Sequence, residues 1–269
     1  MTPGQGFSVA AIGDGTKLSV GRGRVFIDRL NTSLALVGAK FSGTVDALGL
    51  TPSSSFAEKR TMVDATNALL ARVETERTLE LSLTPAEWKK DMLALALLAN
   101  TPAEYTQVAT PVVGEVLTTS SIKDSWYWPP SGKRKLTAYA VKVSAVTKTE
   151  GTDYELDAET GAVYIKSSGS IADASTVTID YTPTAITAGS GLTQINIGTA
   201  GTILAQVRFV AEPMTGPIHE ILLYKVQFSA QDIISFLGQE FGTFNLTGTP
   251  LVSATPVYPN STYGVVFQR

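Results

Sequence analysis

Residues 77–99 read RTLELSLTPAEWKKDMLALALLA, and the change of period inside them decides the fold. In the opening seven, Leu79, Leu81 and Leu83 alternate with Thr78, Glu80 and Ser82, which gives a pleated strand one apolar and one polar face. Beyond them, Thr84 is placed as an N-cap, Pro85 at the first helical position and Glu87 three residues after the cap, the arrangement of a capping box. Trp88, Met92, Leu95, Ala96 and Ala99 then recur at helical spacing, and Asn100, Thr101 and Pro102 close the segment. The pattern predicts a strand followed by one amphipathic helix over residues 85–99.

Outside this segment the strand period dominates. In TVTIDY (176–181), Val177, Ile179 and Tyr181 oppose Thr176, Thr178 and Asp180; in LLYKVQF (222–228) the same reading puts Leu222, Tyr224, Val226 and Phe228 together. Many strands with one helix predict a mainly β fold, a sandwich or barrel with the helix over one face or edge. Between 42 and 62, SGTVDALGLTPSSSFAEKRTM loses periodicity and gathers Gly, Pro and Ser, which predicts a long loop. Its Phe56, followed by Lys59, Arg60 and Met62, reads as a docking arm or as a disordered segment.

A second compositional unit runs over 105–187, from the aromatic, proline-rich WYWPPSGKRK (126–135) region to a linker-like TPTAITAGSG (182–191). It reads as a small β domain inserted into a larger one made of 1–104 and 188–269. Within it, GTDYELDAETGAVYI (151–165) places Asp153, Glu155, Asp157 and Glu159 at alternate positions, a carboxylate set that calcium could use. The EF-hand glycine is missing from its place, and the segment reads better as a hairpin: Tyr154 and Leu156 inward, Asp157 to Gly161 turning, Val163 and Ile165 returning. Trp126, Tyr127 and Trp128 could stack on sugar rings or bases, or pack the start of the inserted domain.

The inventory removes much of catalysis. There is no cysteine and one histidine, His219, so disulfides, thiol nucleophiles and Cys- or multi-His-based metal sites are excluded. His219 beside Glu220 has no nucleophile elbow near it, and no pair among the many acids is singled out for glycoside hydrolysis. Gly21 and Gly23 begin a G-x-G that lacks its third glycine and leads into a strand. No catalytic residue, metal or cofactor is expected. The formal charge of −3, from 21 basic and 24 acidic residues, offers no basic stripe for gripping phosphates. Residues 188–269 carry only Arg208, Lys225, Arg269, Glu212, Glu220, Asp232 and Glu240 as charges, which reads either as a β core segment with Thr, Ser and Gly faces or as a surface covered by further copies of the chain. The opening MTPGQGFSVA does not read as a secretory signal, and the apolar run MLALALLA is far shorter than the roughly 20 residues of a membrane span, so a soluble, cytoplasm-made protein is expected.

The order of these segments resembles a known family. GRGRVFIDRL (21–30), LALVGAKFSGTVDALGLTPS (34–53), ARVETERTLELSL (71–83) and the predicted helix are similar to the N-terminal half of the major tail-tube proteins of long-tailed bacteriophages. The 151–165 segment and IADASTVTIDYTP (171–183) look like a hairpin of phage virion proteins. ILAQVRFVAEP (203–213) and ILLYKVQFSAQDIISFLGQEFGTFNLTGTPL (221–251) are similar to the family's closing strands. The resemblance implies a structural virion protein, made in the host cytoplasm, whose β-barrel or sandwich protomers form six-membered rings that stack into a tube. Its partners would be further copies of itself and other tail proteins at the tube ends, with double-stranded DNA passing through and no membrane involved. On that reading Phe56, Lys59, Arg60, Met62 and the terminal Arg269 make contacts between subunits or rings, and the inserted domain projects outward. The alternative from another class is a surface carbohydrate-binding β-sandwich using the Trp126–Trp128 cluster.

Overall fold

The computed structural model describes residues 21–62, 67–213, 216–229, 244–254 and 256–269, together with Ile234, Phe236 and Gly242. The opening MTPGQGFSVA and most of QDIISFLGQEF lie outside the described residues. The fold is mainly β-sheet with one short α-helix, and the chain divides into two compact units. One comprises residues up to Pro102 and from Ile195 to Arg269; the other is Ala103–Gln194, a few residues wider at each end than composition suggests.

The first unit is built on an eight-stranded antiparallel sheet. Its strands are β1 (Gly23–Arg29), β2 (Lys40–Phe41), β3 (Val45–Arg60), β4 (Leu69–Pro85), β14 (Ile203–Ala211), β15 (His219–Ser229), β16 (Leu246–Pro250) and β17 (Gly264–Gln268). They lie in the order β2-β1-β14-β15-β16-β4-β3, and β17 shares with β16 the second edge of β15. The order has two ends, β2 and β3, and no ladder joins them among the described residues.

Alternation builds the core. Val25 and Ile27, Leu81 and Leu83, Ala205 and Val207, and Val226 and Phe228 point inward from their strands, and Met92 and Leu95 of the helix cover them. Gly23 opens β1 where a Cβ would stand 2.4 Å from the Val210 carbonyl oxygen, so close strand packing explains that glycine. On β15 the simple alternation fails. Ala205 faces Val226 while Val207 faces Leu223, so β15 carries an extra residue there, a bulge that reverses its phase. Leu223 therefore joins Val226 and Phe228 in the core. Leu222 and Tyr224 are buried apart from that cluster, and the Tyr224 hydroxyl sits 2.6 Å from Ser261 Oγ.

The helix α1 (Lys90–Ala96) is shorter than its sequence signature over 85–99, and the capping box does not form. The β ladder takes those residues instead: Thr84 pairs with Ala47 and Pro85 with Val45. Thr84 Oγ1 donates to Asn245 Oδ1 (2.8 Å), and the Glu87 carboxylate accepts the backbone N–H and hydroxyl of Thr44 (2.9 and 2.6 Å). Lys89 occupies the N-cap without a side-chain bond. At the far end, the Leu97 and Leu98 carbonyls, which a helix leaves unpaired, accept the N–H groups of Gly198 and Ala200.

The second unit has a four-stranded sheet, β6 (Val112–Thr118), β12 (Val177–Pro183), β8 (Leu136–Val143) and β9 (Val146–Thr147), in that order. A three-stranded sheet follows, β10 (Tyr154–Asp157), β11 (Ala162–Ile165) and β7 (Ser125–Tyr127). The two sheets share one core, in which Val163 and Ile165 of β11 meet Val141 of β8 and Val177, Ile179 and Tyr181 of β12. The chain enters and leaves through a two-stranded ladder, β5 (Ala103–Glu104) against β13 (Thr193–Gln194), with Ala103 opposite Gln194. Among the described residues no helix is long and apolar enough to cross a membrane.

Candidate functional site, the projecting hairpin

Residues 42–62 are not a loop. From Val45 to Arg60 they form β3, which pairs with β4 from Val45 opposite Pro85 to Arg60 opposite Leu69. At 16 and 17 residues these strands are about three times the usual length. Pro52 is tolerated because β3 is an edge strand, where a missing N–H need not break a ladder. Near the root, Leu48, Leu50, Leu79, Leu81 and Leu83 pack into or against the core of the first unit. Beyond it, every residue of Thr51–Arg60 and Leu69–Arg77 is exposed. That outer part is a two-stranded arm roughly 33 Å long.

One face of the arm carries an ion-pair and aromatic network. Glu74 accepts bonds from Arg77 (3.0 and 2.7 Å) and Ser54 (2.7 Å). The Arg72 guanidinium lies 3.7 Å from the Phe56 ring centroid, and Glu58 pairs with Arg60 (3.1 Å) and Arg72 (3.6 Å). Two register shifts, between Ser55 and Phe56 and between Lys59 and Arg60, break the ladder along it. Apolar side chains are also left in solvent: Phe56 is 43% exposed, Leu70 65%, Val73 63% and Met62 93%.

The Arg77 and Ser54 donors hold the Glu74 carboxyl down to about 2, against an ordinary 4.5. A depressed carboxylate contributes above its ordinary pKa and loses that contribution as pH falls through the folded value, so this network should persist until pH nears 2. Carboxyl carbon chemical shifts should show Glu74 ionised at about pH 3.5, and Arg77→Ala should move its midpoint up toward the ordinary value. A wild-type midpoint at the ordinary value would contradict the geometry.

Of the residues anticipated as contacts, Phe56 and Arg60 share the networked face, alternating along β3 with Lys59 between them, and Met62 follows the strand. Arg269 is elsewhere. It ends the chain beyond β17, exchanging backbone bonds with Ile218, while the opposite end of β17 approaches the arm through Tyr263, whose hydroxyl donates to the Arg77 carbonyl (3.0 Å). Arg72, Glu74, Val73 and Leu70 were missed. Their signal was the alternation in β4, which runs too long to lack an equally long partner.

The other constellations resolve into structure. The 151–165 segment is a hairpin, Tyr154 opposite Ile165 and Asp157 opposite Ala162. Asp153 accepts the backbone N–H groups of Thr149 and Ser170 (2.9 and 2.7 Å), which lower its pKa, and Asp157 accepts Glu159 N–H and the Thr160 hydroxyl within the turn. Among the described residues no group of three or more His, Cys, Asp or Glu side chains is placed to hold a metal. His219 is the half-buried first residue of β15, opposite Gln268. The aromatic triplet splits across its strand: Tyr127 packs against the core and accepts the Ile122 N–H, whereas Trp126 and Trp128 are 49% and 56% exposed. The Trp126 ring lies 5.0 Å from Tyr164.

Fold and site together define an antiparallel β protein with an inserted β unit and a long hairpin arm. A family model described as protein of unknown function UCP028589 matches residues 18–266, and the chain belongs to that family. No curated protein matches it.

Proposed function

We propose that the chain is a structural, self-assembling subunit of the phage tail-tube type, its protomers joining into stacked rings, six-membered on the resemblance, that enclose a channel for DNA. The projecting hairpin carries this reading. A lone two-stranded ribbon is marginally stable in water, and exposed ion pairs add about 0–1 kcal/mol each, so an arm with solvent-facing Phe56, Leu70 and Val73 gains most from being covered. The edges of β2 and β3, unpaired among the described residues, are templates for pairing with further copies, and through them an open sheet in the protomer becomes a continuous wall in a ring. Contacts between different patches on successive copies propagate without closing along the stacking axis. Phe56, Arg60 and Met62 act in those contacts as part of the arm, and the sparse charge of the C-terminal third suits coverage by neighbours.

Exposed Trp126 and Trp128, with the half-buried Tyr164 ring beside Trp126, favour a second reading, a carbohydrate-binding surface on the inserted unit. One preparation separates the two. Under negative-stain microscopy the purified chain should show rings or tubes; a small, monodisperse oligomer retained by immobilised glycan would overturn the tube reading in favour of the second.

A further inference from the structure

Trp126 and Trp128 flank the inward-facing Tyr127 of β7, so their side chains leave the strand on the same side, two residues and thus roughly 6.5 Å apart. Trp126 stands opposite Tyr164 of β11, and the two rings lie 35° from parallel. Trp128 lines a cleft of about 610 Å3 with Tyr105, Gly132, Arg134, Thr160 and Leu192, a size within the roughly 300–1,000 Å3 of small-molecule sites. The loop that forms one wall of the cleft is clamped from two sides. Gln107, only 5% exposed, donates from Nε2 to the Arg134 and Thr184 carbonyls (2.6 and 2.7 Å) and accepts the Arg134 N–H (3.2 Å). Glu115 accepts the Ser131 N–H (2.8 Å) and the hydroxyl of Tyr181, which also lies 2.8 Å from Ser131 Oγ. The cleft is thus built before any ligand arrives.

An aromatic ring offers a flat apolar face that suits the C–H face of a pyranose, whose hydroxyls then need polar partners alongside. The Tyr105 hydroxyl donates to the Gly132 carbonyl (3.1 Å) and the Thr160 hydroxyl to Asp157 Oδ2 (2.5 Å), so each oxygen keeps lone pairs for a sugar hydroxyl. Among the described lining residues Arg134 alone is charged, and Asp157 answers it: the Thr160 hydroxyl, and in smaller part the Arg134 charge, hold the Asp157 carboxyl below its ordinary range. Beside Trp126, Asp124 accepts the Tyr164 hydroxyl and the Ser167 N–H (3.0 and 3.1 Å), and Glu155 pairs with Lys166 (2.8 Å). With no surplus positive charge there, and a formal charge of −3 on the whole chain, the surface suits an uncharged ligand and not the phosphates of nucleic acid.

We propose that this face binds an uncharged oligosaccharide, one sugar ring stacked on Trp128 in the cleft and another on the Trp126–Tyr164 pair. The assignment rests on the carbohydrate reading of these aromatics and not on the tube reading, since the site lies wholly within the inserted unit.

Calorimetric titration of the full chain with cellohexaose, maltohexaose and chitohexaose, with the monosaccharide of each, and with hexagalacturonate as an acidic counterpart tests it. At least one neutral hexasaccharide should bind, its monosaccharide at least about tenfold more weakly, and hexagalacturonate no more tightly. Trp126→Ala and Trp128→Ala should each weaken the hexasaccharide about tenfold, as loss of one stacked ring requires, and Trp128→Phe, which keeps a ring, should lose less. Both positions are exposed, so the variants should fold, which circular dichroism checks. Binding of none of the three neutral hexasaccharides would overturn the carbohydrate reading as well, as would tighter binding of decaproline, a chain that also docks on aromatic grooves. A preference for hexagalacturonate, equal affinity for the monosaccharide, or an unweakened Trp126→Ala would overturn the two-ring neutral site and leave a sugar-binding surface standing.

Discussion

Replacing residues 54–77 with an Asn-Gly turn should leave a folded protein that no longer forms rings or tubes. The cut falls just beyond the Ser53–Thr78 pair, whose hydroxyls already bond at 2.6 Å, and Asn-Gly supplies the backbone twist that a two-residue hairpin turn needs. The apolar side chains that β3 and β4 give to the core, Leu48, Leu50, Leu79, Leu81 and Leu83, all lie on the retained side. Of the described residues removed, all but Thr61 are exposed, and with them go the Arg72, Glu74 and Arg77 network, the bond from Tyr263 to the Arg77 carbonyl, and the solvent-facing Met62, Leu70 and Val73. Circular dichroism and thermal melting should therefore stay close to wild type, while sedimentation velocity should show a single small species and negative stain an empty field. Wild-type assemblies from the trimmed chain would remove the arm from the mechanism.

Leu83→Ala should do the reverse, damaging the fold before it touches any surface. Leu83 is fully buried at the root of β4, against the helix and strand side chains of the first core. Removing its branched end leaves a cavity and should cost about 2–5 kcal/mol in denaturant unfolding. Val73→Ala on the same strand, at a position 63% exposed, should cost about 0.5 kcal/mol or less. Because the second unit has its own core around Val141, Val163 and Ile179, its near-ultraviolet signal from Trp126 and Trp128 should melt as before in Leu83→Ala. Equal destabilisation by the two substitutions would mean that the outer arm is packed on the protomer itself.

The sequence was most legible where one period held over a whole element. The alternation of Leu79, Leu81 and Leu83, that of Val177, Ile179 and Tyr181, and the 151–165 hairpin were all readable because each strand has one face in a core and one in solvent. Legibility failed where tertiary pairing overrode a local signal. Thr84, Pro85 and Glu87 carry a helix start by composition, yet β3 holds the backbone of Thr84 and Pro85 in a ladder and Thr44 takes the Glu87 carboxylate. One inserted residue in β15 defeated the four-residue alternation from Leu222 to Phe228. The β3 side of the arm was the largest miss: Pro52 and three consecutive serines suggested a loop, and the outer part of that strand, exposed on both faces, has no apolar alternation to detect.

Ala103 and Gln194 stand directly opposite each other in an antiparallel pair, which places their Cα atoms about 4.5–5.5 Å apart. A polypeptide interrupted there can be rejoined by a very short bridge, or can accept any foreign module whose own termini emerge side by side. The neck of the inserted unit is thus a natural grafting point, at which cargo can be exchanged without redrawing a single strand of the eight-stranded sheet.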